Sequence, residues 1–120
     1  MSDPEPQFGY TARMLAEIPN LNIDEAALRA FCAKWGVAEL AVFGSVLRDD
    51  FGPESDVDFL VTYQGRSPSY FDWLDMRKEL SDLIGRRVDL AQRSEIERDQ
   101  NWIRRRHILE SARPIYATAA

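Results

Sequence analysis

The residues best equipped for chemistry are two small ones and three acids. Gly44-Ser45 is followed, after ten residues, by Asp56-Val57-Asp58, and a third aspartate, Asp89, stands between Val88 and Leu90. Gly-Ser closes an apolar run, Leu40-Ala41-Val42-Phe43, and a strand that ends this way and opens a helix offers free backbone N–H groups to an anion. Asp56 and Asp58 introduce a second apolar run, Phe59-Leu60-Val61. Strand side chains alternate, so both carboxylates fall on one face. If the strand carrying Asp89 is a neighbour, all three converge on one edge of the sheet. Mg²⁺ takes oxygen ligands, commonly one or two carboxylates plus substrate phosphates. Two such ions can activate an attacking oxygen and stabilise a leaving one, and a carboxylate beside an acceptor hydroxyl can serve as base. The pattern points to phosphoryl or nucleotidyl transfer from a nucleoside triphosphate.

The elements that must position these groups follow from periodicity and punctuation. Residues 1–20, with Pro4, Pro6 and Pro19, read as an N-terminal arm with one short helix near Ala12 to Ile18. One domain, 21–120, follows. Asn22 or Asp24 can cap a helix to about Trp35, with Ala27, Leu28, Phe31 and Cys32 inward and Gly36 at its exit. Glu39 to Phe43 is a strand, Ser45 to about Asp49 a short helix, and Asp50 to Pro53 a turn. Ser55 to Tyr63 is the second strand. A helix from Tyr70 to Ile84 carries Phe71, Leu74, Leu80, Leu83 and Ile84 at helical spacing, and Gly85 ends it. Arg87 to Ala91 is a third strand, and a helix or helix pair over about 95–111 is stopped by Pro114. The alternation predicts a small α/β (α+β) domain.

Composition narrows the function classes. A chain of 120 residues has room for a single core. A net charge of −5 argues against a nucleic-acid binder built on a broad basic face, yet permits nucleotide binding where a metal supplies positive charge. Cys32 is the only cysteine, which excludes an intramolecular disulfide and a thiolate zinc site and fits a reducing cytoplasm. No apolar run is long enough to span a bilayer, and the acidic, proline-bearing N-terminus is unlike a signal peptide. The chain therefore reads as cytoplasmic, with no membrane contact.

Gly44-Ser45, ten residues, then Asp56-Val57-Asp58 resembles the signature of the DNA polymerase β-type nucleotidyltransferase superfamily. Phe43 before Gly-Ser, Ser55 before the first aspartate, Gly85-Arg-Arg-Val-Asp-Leu90 and the closing Ile108 to Tyr116 are similar to its smallest branch, the minimal nucleotidyltransferases. The resemblance implies a short mixed β-sheet of three or four strands flanked by helices. It implies that Asp56, Asp58 and Asp89 hold Mg²⁺, two ions being expected, and that Asp89 can act as base. The Gly44–Ser45 backbone and Ser45 would hold the triphosphate of ATP, with Arg48 within reach of a phosphate. Larger relatives carry a second, acceptor-binding domain, so the acceptor is expected on another molecule. Many such domains resemble the antitoxin of HEPN–MNT pairs, in which AMP passes from ATP to a tyrosine of the HEPN ribonuclease. A HEPN-type toxin partner, and a hetero-oligomer with it, is the implied assembly.

Two rival readings remain at this level: a non-catalytic module that neutralises its partner by binding alone, and a nucleotidyltransferase acting on a small-molecule hydroxyl such as that of an aminoglycoside. The run Arg104-Arg105-Arg106 is mixed with Glu95, Glu97, Asp99 and Glu110 and reads as a solvated or partner-facing helix. His107 reads as structural or surface, Cys32 as core, and Trp73 and Trp102 as core packing by default.

Overall fold

Antiparallel and parallel pairing meet in one sheet. In the computed structural model, which describes residues 14–118, four strands lie in the order β3-β2-β1-β4. These are β1 (Val37–Phe43), β2 (Val57–Tyr63), β3 (Val88–Gln92) and β4 (Arg113–Ala117). Strand β1 runs antiparallel to both β2 and β4, whereas β2 and β3 are parallel. A parallel pair needs a long crossover, here supplied by a helix, α2 (Tyr70–Ile84). The other helices are α1 (Glu25–Lys34), α3 (Arg93–Glu97) and α4 (Trp102–Ser111). This is the mixed sheet flanked by helices that the family resemblance implies.

Period-two alternation sorts the strand residues onto two faces. Leu40, Val42, Val57, Phe59, Val61, Val88 and Leu90 join Leu28, Phe31 and Cys32 of α1 and Met76 and Leu80 of α2 in the main core. Each fully buried large side chain there contributes about 1.5–3 kcal/mol relative to exposure. The opposite face holds a smaller cluster, Ala41 and Leu60 under Ile96 of α3 and Ile108 of α4. Those two short helices cover only part of that face, and the uncovered part carries the aspartates.

Local signals explain the helix ends. Asp24 accepts from the Ala27 N–H at 2.9 Å, and Ser69 accepts from the Asp72 N–H at 3.2 Å. Gly85 ends α2 with φ +71°, a left-handed geometry that a side chain would resist. Burial pushes the Cys32 thiol up to about 12. Cys32 is therefore expected to stay unreactive toward a thiol reagent at pH 8 and to become reactive only with global unfolding in denaturant, read as labelling rate against denaturant concentration.

The structure departs from the sequence expectations at several points. Gly44–Leu47 is a single 3-10 turn and not a helix reaching Asp49. The stretch over 95–111 is two helices, the first starting at Arg93. Pro114 stands inside β4, a strand the pattern did not reveal; β4 is an edge strand, where a missing N–H is tolerated. Phe71 is exposed at 76% and not on the inner stripe of α2, and Trp102 is 57% exposed rather than packed in the core. Of the expected N-terminal arm, residues 1–13 lie outside the described residues. Residues 14–16 are helical, and Met14 and Ile18 are buried against the domain. Among the described residues no helix is long and apolar enough to cross a membrane.

Candidate active site

Strand register brings the acids together. Phe43 of β1 pairs with Asp58 of β2, and Asp58 pairs with Asp89 of β3. The three residues form one row across the sheet, and Gly44 follows Phe43 directly. Gly44 has φ +79°, and a Cβ built on it would collide with the Asp58 carboxylate. Only glycine lets the backbone pass this close to the acid.

The turn and the acids are anchored from both sides. Ser45 Oγ donates to the Asp56 carbonyl at 3.3 Å, tying the Gly-Ser turn to the entry of β2. Asn20 donates from Nδ2 to the carbonyls of Val46 and Arg48, both at 2.9 Å. Across the loop, Arg86 Nη1 donates to the carbonyls of Gly52 and Ser55 at 2.8 and 3.1 Å, with its guanidinium 4.2 Å from the Phe51 ring centroid. Arg87 Nη2 donates to the Glu54 carbonyl at 2.7 Å. Arg86 and Arg87 thus position the ten-residue spacer, a role the sequence pattern did not disclose.

Electrostatics distinguishes the three acids. Burial, then the charges of Asp89 and Asp56, hold the Asp58 carboxyl above its usual range, and Arg48 works in the opposite direction. The Asp58 and Asp89 carboxyls are near enough for the charge of Asp89 to bear on Asp58. Two carboxylates so placed favour a cation between them. Asp56 behaves differently. Its Oδ1 lies 2.9 Å from Arg87 Nε, an ion pair, yet this buried oxygen accepts no hydrogen bond. Among the described residues, no three acidic, histidine or cysteine side chains already stand in metal-holding geometry. The Asp58–Asp89 pair nevertheless suits Mg²⁺, which needs only one or two carboxylates when phosphates complete its shell.

These groups open on a cleft of about 610 Å³ over the uncovered face. Gly44 and Arg48 line it where β1 ends, Asp58 and Asp89 where β2 and β3 begin, and Arg104 and His107 of α4 line it as well. Trp73 and Leu90 line it on the β3 side. Arg48 is exposed and its Nε contacts Asp50 at 3.1 Å. Ser45 and Asp56 do not line the cleft. His107, read from sequence as structural or surface, is an exposed side chain of the cleft wall; only the placement of α4 over the sheet reveals this.

A glycine backbone pressed against an aspartate pair beneath an open cleft is an arrangement that can hold a phosphorylated substrate through a cation. Residues 25–115 match the nucleotidyltransferase domain family, and the chain belongs to it. A solved minimal nucleotidyltransferase is 31% identical and superposes with a TM-score of 0.57, covering 73% of this chain and 84% of that one. Protein adenylyltransferase MntA of Thermococcus cleftensis is 38% identical over 64 residues, which are 53% of this chain and 64% of MntA; the match spans a little under two thirds of that relative. A toxin–antitoxin complex solved with AMP-PNP superposes with a TM-score of 0.62 over 81% of this chain and 76% of that one, at 14% identity, a likeness of fold.

Proposed function

We propose that this domain transfers AMP from ATP to a hydroxyl of a partner protein, a tyrosine of a HEPN-type toxin, and so acts as the antitoxin of the pair. The observation that carries this reading is the Phe43–Asp58–Asp89 row with the Gly44 backbone against Asp58. It is supported by the similarity to an MntA adenylyltransferase and by the toxin–antitoxin complex of like fold. Tyr70, Phe71, Trp102 and Ile103, all large and exposed, are consistent with a protein partner.

In this reading the Gly44–Ser45 backbone and Ser45 receive the triphosphate, and Arg48 contacts one of its phosphates. Asp56, Asp58 and Asp89 would hold Mg²⁺. When bound, Mg²⁺ neutralises charge on the phosphate oxygens. The acceptor oxygen attacks the α-phosphorus, its proton passes to Asp89, the bond from the α-phosphorus to the bridging oxygen breaks, and pyrophosphate leaves. Catalysis is mainly positioning and charge neutralisation.

The test is incubation of the protein with Mg²⁺ and α-labelled ATP in lysate of its host, beside the Asp56→Ala/Asp58→Ala double variant. A labelled protein band that requires both aspartates is the expected result, and its mass identifies the partner. Intact ATP with no labelled protein would overturn the reading in favour of a binding module.

A further inference from the structure

The cleft has two ends, and the proposed reaction assigns only one of them. If the triphosphate lies at the Gly44–Arg48 end, the acceptor must approach the carboxylates from the other, where Trp73 and Leu90 stand. Those same two residues also line a second groove of about 280 Å³, bounded by Ser69, Tyr70, Gln92 and Glu95. The two depressions therefore adjoin along β3, the edge strand that carries Asp89.

The mouth of this groove is aromatic and acidic. The Phe71 ring meets Tyr70 edge-on at 5.9 Å, and Tyr70 stacks on Trp73 at 6.3 Å and 16°. Three rings thus lead from open surface to the cleft. Tyr70 and Phe71 are 68% and 76% exposed, an unusual exposure for aromatic residues unless they meet a partner. Glu95 lines the groove, and Asp72 and Asp75 are exposed on the same first turns of α2 as the rings; none of the three has an ion-pair partner among the described residues, whereas Asp82 and Glu97 are paired with Lys78 and Arg93. Arg77 is engaged by the Val88 carbonyl and the Trp73 ring but keeps its charge; the three acids outnumber it and the exposed Arg66, so this stretch is net negative.

Resting on the transfer reading above, we infer that the β3-edge groove is the docking site of the acceptor, and that its occupant is a protein segment whose hydroxyl-bearing residue is flanked by apolar and basic side chains. The acidic rim draws in the basic flanks, the Phe71–Tyr70–Trp73 ladder takes the apolar ones, and the groove directs the hydroxyl toward Asp89. Exposed rings beyond the groove mouth fit a peptide chain better than a small cationic polyol, which would have no use for them.

Two acetylated, amidated, fluorescein-labelled peptides, Lys-Leu-Tyr-Leu-Lys and Glu-Leu-Tyr-Leu-Glu, test this by fluorescence anisotropy, with AMP transfer from ATP measured in parallel. The lysine-flanked peptide is expected to bind about tenfold more tightly at low salt, a preference that weakens as salt rises. Asp75→Lys/Glu95→Lys should invert the preference, and Phe71→Ser should weaken both peptides several-fold. All three positions are exposed, so the fold should survive, and fluorescent ATP-analogue affinity should change less than twofold. Equal binding of the two peptides, no binding of either, or an unchanged preference in the charge variant would overturn the docking site. So would adenylylation of kanamycin in preference to both peptides, if indifferent to Phe71→Ser. The two readings fail separately. Binding as expected with no AMP transferred would leave the groove and remove the transfer reaction; transfer to both peptides regardless of rim charge would do the reverse.

Discussion

Asp58→Asn is expected to abolish most AMP transfer while making the metal-free domain more resistant to heat. The activity loss should reach about 10²–10³-fold or more, the scale of removing one group that organises developing charge. The stability gain follows from the position of Asp58. Burial, then Asp89 and Asp56, raise its carboxyl above the ordinary range. A raised acid binds protons more tightly in the folded than in the unfolded state. Its contribution to stability is therefore full below the ordinary aspartate range and is lost as pH rises through the raised value. Once ionised, Asp58 works against folding, and the neutral amide removes that penalty. Because Asp58 is partly solvated, the gain is modest, about 2–5 °C in Tm, and should shrink toward zero near pH 4. Differential scanning fluorimetry at both pH values, with and without Mg²⁺, checks this. Mg²⁺ should raise the Tm of the wild type and not that of the variant. A variant less stable than wild type at pH 7 would show that Asp58 is no strained carboxylate.

Gly44→Ala should damage both stability and nucleotide binding, because two effects coincide there. The residue has φ +79°, and its added Cβ would strike the Asp58 carboxylate. Left-handed backbone at a non-glycine residue costs about 1–3 kcal/mol, and relieving the collision must displace either the turn or the acid. Gly65→Ala is the matched control: it has the same φ of +79°, but its Cβ meets nothing within 4 Å. Both variants should lose stability from backbone strain. Only Gly44→Ala should also lose at least about tenfold in ATP affinity, equivalent to 1.4 kcal/mol, measured by titration with a fluorescent ATP analogue. Equal nucleotide affinity in the two alanine variants would dissociate the Gly-Ser turn from the donor.

Much of the fold was legible because its signals are local. The inner faces of α1 and α2 repeat at helical spacing, and Leu28, Phe31, Cys32 and Leu80 are buried as expected. Ser69, Asp24 and Gly85 are caps whose geometry depends on neighbours three or four residues away. Strand β4 escaped notice because five residues containing a proline show no alternation, and its pairing partner, β1, is about seventy residues distant in the chain. Phe71 lies off the expected inner stripe for a related reason. Helical spacing gives the angle of a side chain around its helix, but not how far the neighbouring layer extends, and at the first turn of α2 the sheet no longer covers it.

The candidate site divides in the same way. Residue types and spacing alone singled out Gly44, Ser45, Asp56, Asp58 and Asp89, since a close backbone approach and carboxylates two apart on a strand are local requirements. The arrangement around them arises only in three dimensions. Parallel pairing sets Asp58 beside Asp89, Arg87 draws Asp56 aside, and α4 swings His107 and Arg104 over the cleft. Register and layer packing join residues dozens of positions apart, and those long-range contacts, rather than any local pattern, decide which chemical groups share one space.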